Sequence, residues 1–356
     1  MSSPQPNSSF TQEPQFEHAF THTISRWWQN REEGFVLGHE KRRLYWCKLT
    51  SPTHQKAILL VNGRIECAWK YQEVLYDLFA QGFDVYSYDH RGQGLSDRLI
   101  TNSDIGHVAH FQDYVSDLAT IIGHFDWSSY QQRLLIGHSM GGAIVTRYLQ
   151  CTALNSTLST PFDGAILSAP MHGIRTPWYL KPIATPLTAL LSVLASQPRY
   201  APGHCAYYAK PFDGNLLTHS AVRYHWFRTL YDARPELQVG GPSSHWVWQS
   251  LLAAKQCVQL ARHLPVPLLL LQAEDDVIVD NRAQDRFIQS AQRSNAPTTL
   301  LRFARAKHEL LFERDDIRNQ VLEAIIDFSK QLAANSPTIR NKPQCEASPS
   351  DPCAKD

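Results

Sequence analysis

A chain of 356 residues, 43% hydrophobic and 19% charged, has the composition of a soluble globular protein and can bury one large core with room for an insertion. Its formal charge of +1 gives no global reason to expect a nucleic-acid partner. Seven scattered cysteines (Cys47, Cys67, Cys151, Cys205, Cys257, Cys345 and Cys353), odd in number and without metal-type pairing, fit a reduced compartment and exclude a cysteine-built metal site.

Residues 1–20 read as a disordered arm. Met1 to Gln15 is rich in Ser, Pro and Gln, with neither the basic start nor the apolar core of a secretory signal. From 21 onward apolar strand-like runs alternate with amphipathic stretches. Phe35 to Leu49 reads as a hairpin and Lys56 to Val61 as a buried strand. A helix follows over Tyr71 to Gln81, then a strand over Asp84 to Tyr88 and a helix over His110 to Phe125. The apolar run Leu134-Leu135-Ile136 leads as a strand into Gly137-His138-Ser139-Met140-Gly141, and a helix-like pattern continues from Ala143. Gly164 to Ser168 is the next strand. The alternation then breaks for nearly a hundred residues, and 171–264 reads as an inserted cap. Pro267 to Gln272 and Thr299 to Phe303 resume it as strands, and Ile317 to Leu332 closes it as a helix. Residues 333–356 are polar and Pro- and Ser-rich, and are expected to be disordered. The pattern predicts an α/β protein with a mainly parallel sheet, helices on both faces, and a core of 21–170 plus 265–332.

No stretch reaches the roughly 20 apolar residues of a membrane span. The most apolar, Trp178 to Leu194, contains Lys181, Pro182 and Pro186. The cap has a basic bias. Arg175, Lys181, Arg199, Lys210, Arg223, Arg228, Arg234, Lys255 and Arg262 stand against Asp213, Asp232 and Glu236 only. It is also rich in tryptophan and tyrosine, which together suit a surface that meets anionic headgroups.

The chemistry is concentrated in three places. Gly-x-Ser-x-Gly between a strand and a helix is a nucleophile elbow, with Ser139 at the tip of a tight turn where a side chain in place of either glycine would clash. A serine hydroxyl needs a base, and the base needs an orienting acid. In this fold the chain order is Ser, acid, His. His308 is the only histidine after residue 276. The acid is expected just past the strand 267–272, where Glu274, Asp275, Asp276 and Asp280 compete; Asp276 is the choice, Asp275 the rival, and Asp280 a candidate helix cap. The Met140 amide and the Arg64 amide are expected to form the oxyanion hole. Gly63 would let the backbone approach substrate, and the Arg64 side chain could grip a phosphate. No metal ligand set is evident.

Asn62-Gly63-Arg64-Ile65-Glu66, Lys70-Tyr71, Tyr88 to Ser96, Gly106-His107-Val108, Phe111 to Val115, Gly137 to Gly142, Leu271 to Glu274, Val279 to Asn281 and Ala306 to Glu313 together resemble the bacterial lysophospholipase L-two family. That family lies within the monoglyceride lipase-like α/β-hydrolases, and the resemblance covers about residues 20–332. One departure is Asn62-Gly63, where the related lipases carry His-Gly; the glycine and the donating amide are retained. The resemblance implies an α/β-hydrolase fold and a serine hydrolase without a cofactor. Its reaction would be hydrolysis of the acyl ester of a lysophospholipid to a fatty acid and a glycerophosphodiester, through an acyl-enzyme on Ser139. It also implies peripheral attachment at the cytoplasmic side of the inner membrane, with Trp178 to Leu194 at the acyl-chain entry or on the bilayer. The alternatives are a monoacylglycerol lipase or carboxylesterase with the same triad, a lysophospholipid acyltransferase, and a noncatalytic binding module, against which a complete Ser139, Asp276 and His308 set argues.

Overall fold

Successive side chains of the central strands are buried in two different cores, as a strand covered on both faces requires. In β3 (Lys56–Val61), Ala57, Leu59 and Val61 enter one core while Ile58 and Leu60 enter the other. In the computed structural model, which describes residues 10–155, 157–175, 181–294 and 296–335, this strand lies at the centre of an eight-stranded sheet. The other strands are β1 (Glu32–Leu37), β2 (Arg43–Leu49), β4 (Phe83–Tyr88), β5 (Gln132–His138), β6 (Gly164–Ser168), β7 (Leu268–Ala273) and β8 (Thr298–Phe303). Their order is β1-β2-β4-β3-β5-β6-β7-β8. β1 and β2 form the expected hairpin, β2 pairs antiparallel with β4, and every further pairing is parallel. This is the α/β-hydrolase sheet.

The helices are α1 (Phe16–Ala19), α2 (Ser25–Trp28), α3 (Gln72–Ala80), α4 (Phe111–His124), α5 (Met140–Leu154), α6 (Lys181–Leu194), α7 (Ala221–Ala233), α8 (Ser244–Gln259), α9 (Asn281–Ala291) and α10 (Asp315–Asn335). Residues of α3 and α10 fill the core on one face of the sheet, and residues of α4, α5, α8 and α9 fill the other. The chain leaves β3 for β4 on one side and returns to β5 on the other. The loops after β3 and β5 therefore diverge, which opens a crevice at the carboxyl edge of the sheet. The oxyanion-loop residues and Ser139 lie at that crevice.

Three boundaries differ from the sequence expectation. Residues 1–9 lie outside the described residues, but from Glu13 the chain is helical rather than a disordered arm, with a single π-helical turn (Phe20–Ile24) between α1 and α2. Phe16, Phe20, Ile24 and Trp28 recur every four residues and are all buried, so an apolar stripe holds the segment down. α10 likewise continues to Asn335, and residues 336–356 lie outside the described residues. The third difference concerns 244–264. Trp246, Ala253, Cys257, Ala261 and Leu264 belong to the same core as α5, and the Gln150 Nε2 amide of α5 donates to the Cys257 carbonyl at 2.7 Å. α8 is thus part of the helical layer, although its Trp246 and Val247 also line the cavity; among the described residues α7 and the loops flanking it overhang the crevice, and α6 packs on α8.

Some of the basic residues of this stretch are engaged. Arg223 pairs with Glu73 and Asp315, Arg234 with Glu236, and Arg175 donates to the Asp276 carbonyl. Leu187, Leu190, Val193 and Leu194 of α6, by contrast, are exposed. Among the described residues no helix is long and apolar enough to cross a membrane.

Candidate active site

At the end of β5 the backbone turns sharply into α5, and Ser139 at the turn has φ 52° and ψ −115°. A non-glycine residue pays roughly 1–3 kcal/mol for such a conformation, so its surroundings must enforce it. They do so through the two glycines. A Cβ at Gly141 would overlap the carbonyl oxygens of Val61 and Asn62, and one at Gly137 would lie 2.8 Å from the Gly141 carbonyl oxygen. Only with hydrogen at both positions can the elbow sit this close to β3. The Ser139 amide is tied to the Ser168 carbonyl of β6 at 3.0 Å.

His308 lies in the loop after β8, and its Nε2 is 2.8 Å from Ser139 Oγ. Its Nδ1 is 2.6 Å from Asp276 Oδ2. In the tautomer this geometry requires, Nδ1–H donates to the carboxylate and Nε2 accepts the serine proton. Asp276 is brought in by a turn after β7, in which the Ile278 and Val279 amides donate to its Oδ1 at 2.7 and 3.1 Å. The rivals lie elsewhere: Asp275 is exposed, and Asp280 caps α9 by accepting from the Arg282 amide. Burial alone would push the Asp276 carboxyl up, but the His308 charge and the hydrogen bonds outweigh it and hold the group below its usual range. Burial likewise opposes the charged His308, and the Asp276 carboxylate more than compensates, so its pKa is raised above 6.5. His138, 5.0 Å from the His308 ring, is pushed down to about 4 by burial and stays neutral beside it.

The loop after β3 is held rigidly. Asn62 Nδ2 donates to the Tyr88 carbonyl at the end of β4, and Gln93 Nε2 reaches the carbonyls of Gly63 and Glu66. The Gly63 amide donates to Glu66 Oε2 at 2.6 Å. That leaves the Arg64 amide as the donor this loop can offer an oxyanion. A Cβ at Gly63 would lie 2.8 Å from the Glu66 carboxylate, so the approach needs glycine. Among the described residues neither the Met140 nor the Arg64 amide donates to a protein acceptor. Trp178 lies outside the described residues.

The sequence reading did not foresee the ion cluster behind this loop. Lys70 Nζ is 2.8 Å from Glu66 Oε1 and 2.7 Å from Glu309 Oε1, and all three side chains are buried. Tyr71 adds a hydrogen bond to Glu66 Oε2. Burial raises the Glu66 carboxyl, but Lys70 and His138 pull it well below its ordinary range. Glu309 is pushed up by burial and by the charge of Glu66, which Lys70 offsets only in part. The signal was Glu66 and Lys70 at i, i+4 with Glu309 next to His308, but only the fold brings the two segments together. Lys70→Met is expected to leave two buried carboxyl groups without a counter-ion and to lower stability by about 3–5 kcal/mol in urea unfolding. A loss below about 1 kcal/mol would show the cluster to be energetically idle.

Ser139, Met140, His308, Gly63 and Arg64 line one cavity of about 760 Å³, roofed by Tyr207, Phe227 and Tyr231. The overhang is stitched to the site beneath it. Tyr231 Oη donates to the Ile65 carbonyl, and the Glu309 amide donates to the Leu217 carbonyl.

Residues 52–315 match the serine aminopeptidase S33 family. The lysophospholipase L2 of Escherichia coli (strain K12) is 36% identical over 330 residues, covering 88% of this chain and 92% of that protein. The probable lysophospholipase L2 of Haemophilus influenzae is 34% identical, covering 83% and 90%. The monoglyceride lipase of Homo sapiens is more distant, at 26% identity over 82% and 89%. Among solved structures, a soluble variant of monoglyceride lipase from Saccharomyces cerevisiae has the same fold, with a TM-score of 0.64 at 17% identity over 85% of this chain and 96% of that one. An elbow serine within hydrogen-bonding reach of a histidine, in a chain this similar to the bacterial enzymes, is a serine ester hydrolase, and the chain belongs to the lysophospholipase L2 family of α/β-hydrolases.

Proposed function

We propose that this lipid ester hydrolase acts on lysophospholipids, and that it does so through an acyl-enzyme on Ser139. The observation that carries the reading is the hydrogen-bonded series Ser139, His308, Asp276, whose first two members line the cavity. His308 Nε2 takes the Ser139 proton as Oγ attacks the ester carbonyl carbon. The amides of Met140 and Arg64 hold the oxygen while it carries negative charge. His308 then returns the proton to the departing glycerol oxygen, leaving an acyl-serine and a free glycerophosphodiester. Water attacks the acyl-serine with His308 again as base. A fatty acid departs, and Ser139 regains its proton. Asp276 stays ionised throughout, fixing the imidazole and stabilising its charged form.

The substrate class follows the more similar relatives, which are named lysophospholipases, over the more distant monoglyceride lipases. The test is fatty-acid release from lysophosphatidylcholine, lysophosphatidylethanolamine and monoacylglycerol by the intact protein. Release from the phosphate-bearing lipids well above monoacylglycerol is the expected result. Release from monoacylglycerol alone would make the protein a lipase of the neighbouring kind, and transfer of the acyl group to an added lipid alcohol would make it a transferase.

Attachment is proposed to be peripheral, at the cytoplasmic face of the inner membrane. What supports it is the exposed row Leu187, Leu190 and Leu194 on α6, with Val193 beside it. Leu190→Asp with Leu194→Asp is expected to lower partitioning onto phospholipid vesicles by about tenfold or more. The ratio of vesicle-borne to soluble-ester turnover should fall with it. Unchanged partitioning would show that α6 does not face the lipid.

A further inference from the structure

The cations enclosed most deeply in this fold face carboxylates. Lys70 has Glu66 and Glu309, Arg91 has Asp117, Arg223 has Glu73, and Arg318 has Asp77. Arg64 is different. Its Nη1 donates to the Gly240 carbonyl at 3.2 Å and its guanidinium lies 5.3 Å from the Trp246 ring centroid, but among the described residues no carboxylate stands within ion-pairing distance. Burial without a counter-ion lowers its pKa to about 10, which still leaves it charged at neutral pH. A half-buried guanidinium without a counter-ion at a cavity wall is a favourable partner for an anion that enters the cavity.

Its position says which anion. Arg64 lines the same cavity as Ser139 and His308. Its own backbone amide is the one left to hold the reacting carbonyl oxygen, because the Gly63 amide is already taken by Glu66. The guanidinium is therefore one arginine side chain away from the ester carbonyl. In a lysophospholipid the glycerol backbone sets the phosphate about that far from the ester. The planar fork can take two phosphate oxygens at once. A second guanidinium lines the cavity from α7. Arg228 lies over Tyr224 and Phe227 and donates through Nη2 to the Tyr224 hydroxyl at 3.0 Å.

We infer that Arg64 is the phosphate-binding residue of this site, joining the oxyanion donor and the headgroup subsite in one residue, so that a glycerophosphate headgroup is gripped by the side chain of the same residue whose amide holds the scissile carbonyl. The inference rests on the lysophospholipid reading for the identity of the headgroup. Arg64, and not the overall charge of the overhang, is then what distinguishes a phosphate-bearing lipid from a neutral monoacylglycerol.

The test separates the two claims by using a neutral soluble ester, p-nitrophenyl butyrate, as reporter substrate. Glycerol 3-phosphate is expected to inhibit its hydrolysis competitively, and glycerol at the same concentration is not. In Arg64→Gln the inhibition constant should rise by about 10- to 100-fold, as for the loss of a charged hydrogen-bonded pair, with Arg64→Lys in between. Because each constant is read within one variant, a change in that variant's turnover does not enter. Should Arg64→Gln fail to fold, the lysine variant and the glycerol comparison in the unaltered protein still decide. Equal inhibition by glycerol and glycerol 3-phosphate, or a constant unmoved by either substitution, overturns the assignment. So does a larger effect from Arg228→Gln than from Arg64→Gln. A lipid headgroup further requires that KM for lysophosphatidylcholine rise in Arg64→Lys. Inorganic phosphate binding as tightly as glycerol 3-phosphate, with that KM unmoved, would mark a free-anion site and overturn the headgroup claim. Hydrolysis of monoacylglycerol alone, with Arg64-dependent inhibition intact, would sink the lysophospholipase reading and leave the phosphate subsite standing.

Discussion

Ser139→Ala is expected to lower kcat for ester hydrolysis by about a million-fold, and His308→Ala by a similar amount. The reason is geometric. With Oγ removed, nothing stands 2.8 Å from His308 Nε2 to attack the carbonyl carbon; with the imidazole removed, the hydroxyl remains but has no acceptor for its proton. Since each loss disables the same step, the double variant should be no slower than either single one. A residual rate above water is expected, because the Met140 and Arg64 amides and the cavity still bind and polarise the ester. The measurement is single-substrate kinetics on a soluble ester, joined to labelling by a fluorophosphonate, which should attach to Ser139 in the unaltered protein alone. Multiplicative losses in the double variant would mean that the two side chains act in separate steps. Labelling that persists in Ser139→Ala would place the nucleophile elsewhere.

The elbow was readable from sequence because its physics is local. Gly137 and Gly141 are required by contacts within the turn and to the adjoining strand, so a short motif carries the whole constraint. The sheet was readable for a similar reason: strands buried on both faces appear as unbroken apolar runs such as Leu268 to Leu271. Other features depended on contacts between distant segments. The N-terminal helices were hidden by the polar composition of residues 1–15, although Phe16, Phe20, Ile24 and Trp28 already carried the four-residue period. α8 looked like overhang because it falls in 171–264, where the alternation of strands and helices breaks. Its assignment to the core follows from which face meets α5, and composition does not encode that. The Lys70 cluster joins residues 239 apart in sequence, so neither end announces the other.

The acid was the least legible part of the triad, since Glu274, Asp275 and Asp276 are chemically alike and adjacent; one turn decides among them. The hydrogen bonds from Ile278 and Val279 to Asp276 Oδ1 leave Oδ2 aimed at His308, while Asp275 faces solvent. Asp276→Asn is therefore expected to lower kcat by roughly ten-thousand-fold, because an amide can hold the imidazole in the tautomer that cannot accept the serine proton. Asp275→Asn should change kcat less than threefold, within the ±0.5 kcal/mol usual for exposed sites. Asp280→Ala should act on stability, by about 1 kcal/mol, as a lost helix cap. The pH profile adds an independent readout. The base must be neutral, and Asp276 holds the His308 pKa above 6.5, so the acidic limb of kcat/KM should lie above pH 6.5. Without the carboxylate, burial dominates and disfavours the imidazolium, so the limb of Asp276→Asn should move to lower pH even as the maximum rate collapses. A limb that stays in place, or a large kcat loss in Asp275→Asn, would mean that the orienting carboxylate is not Asp276.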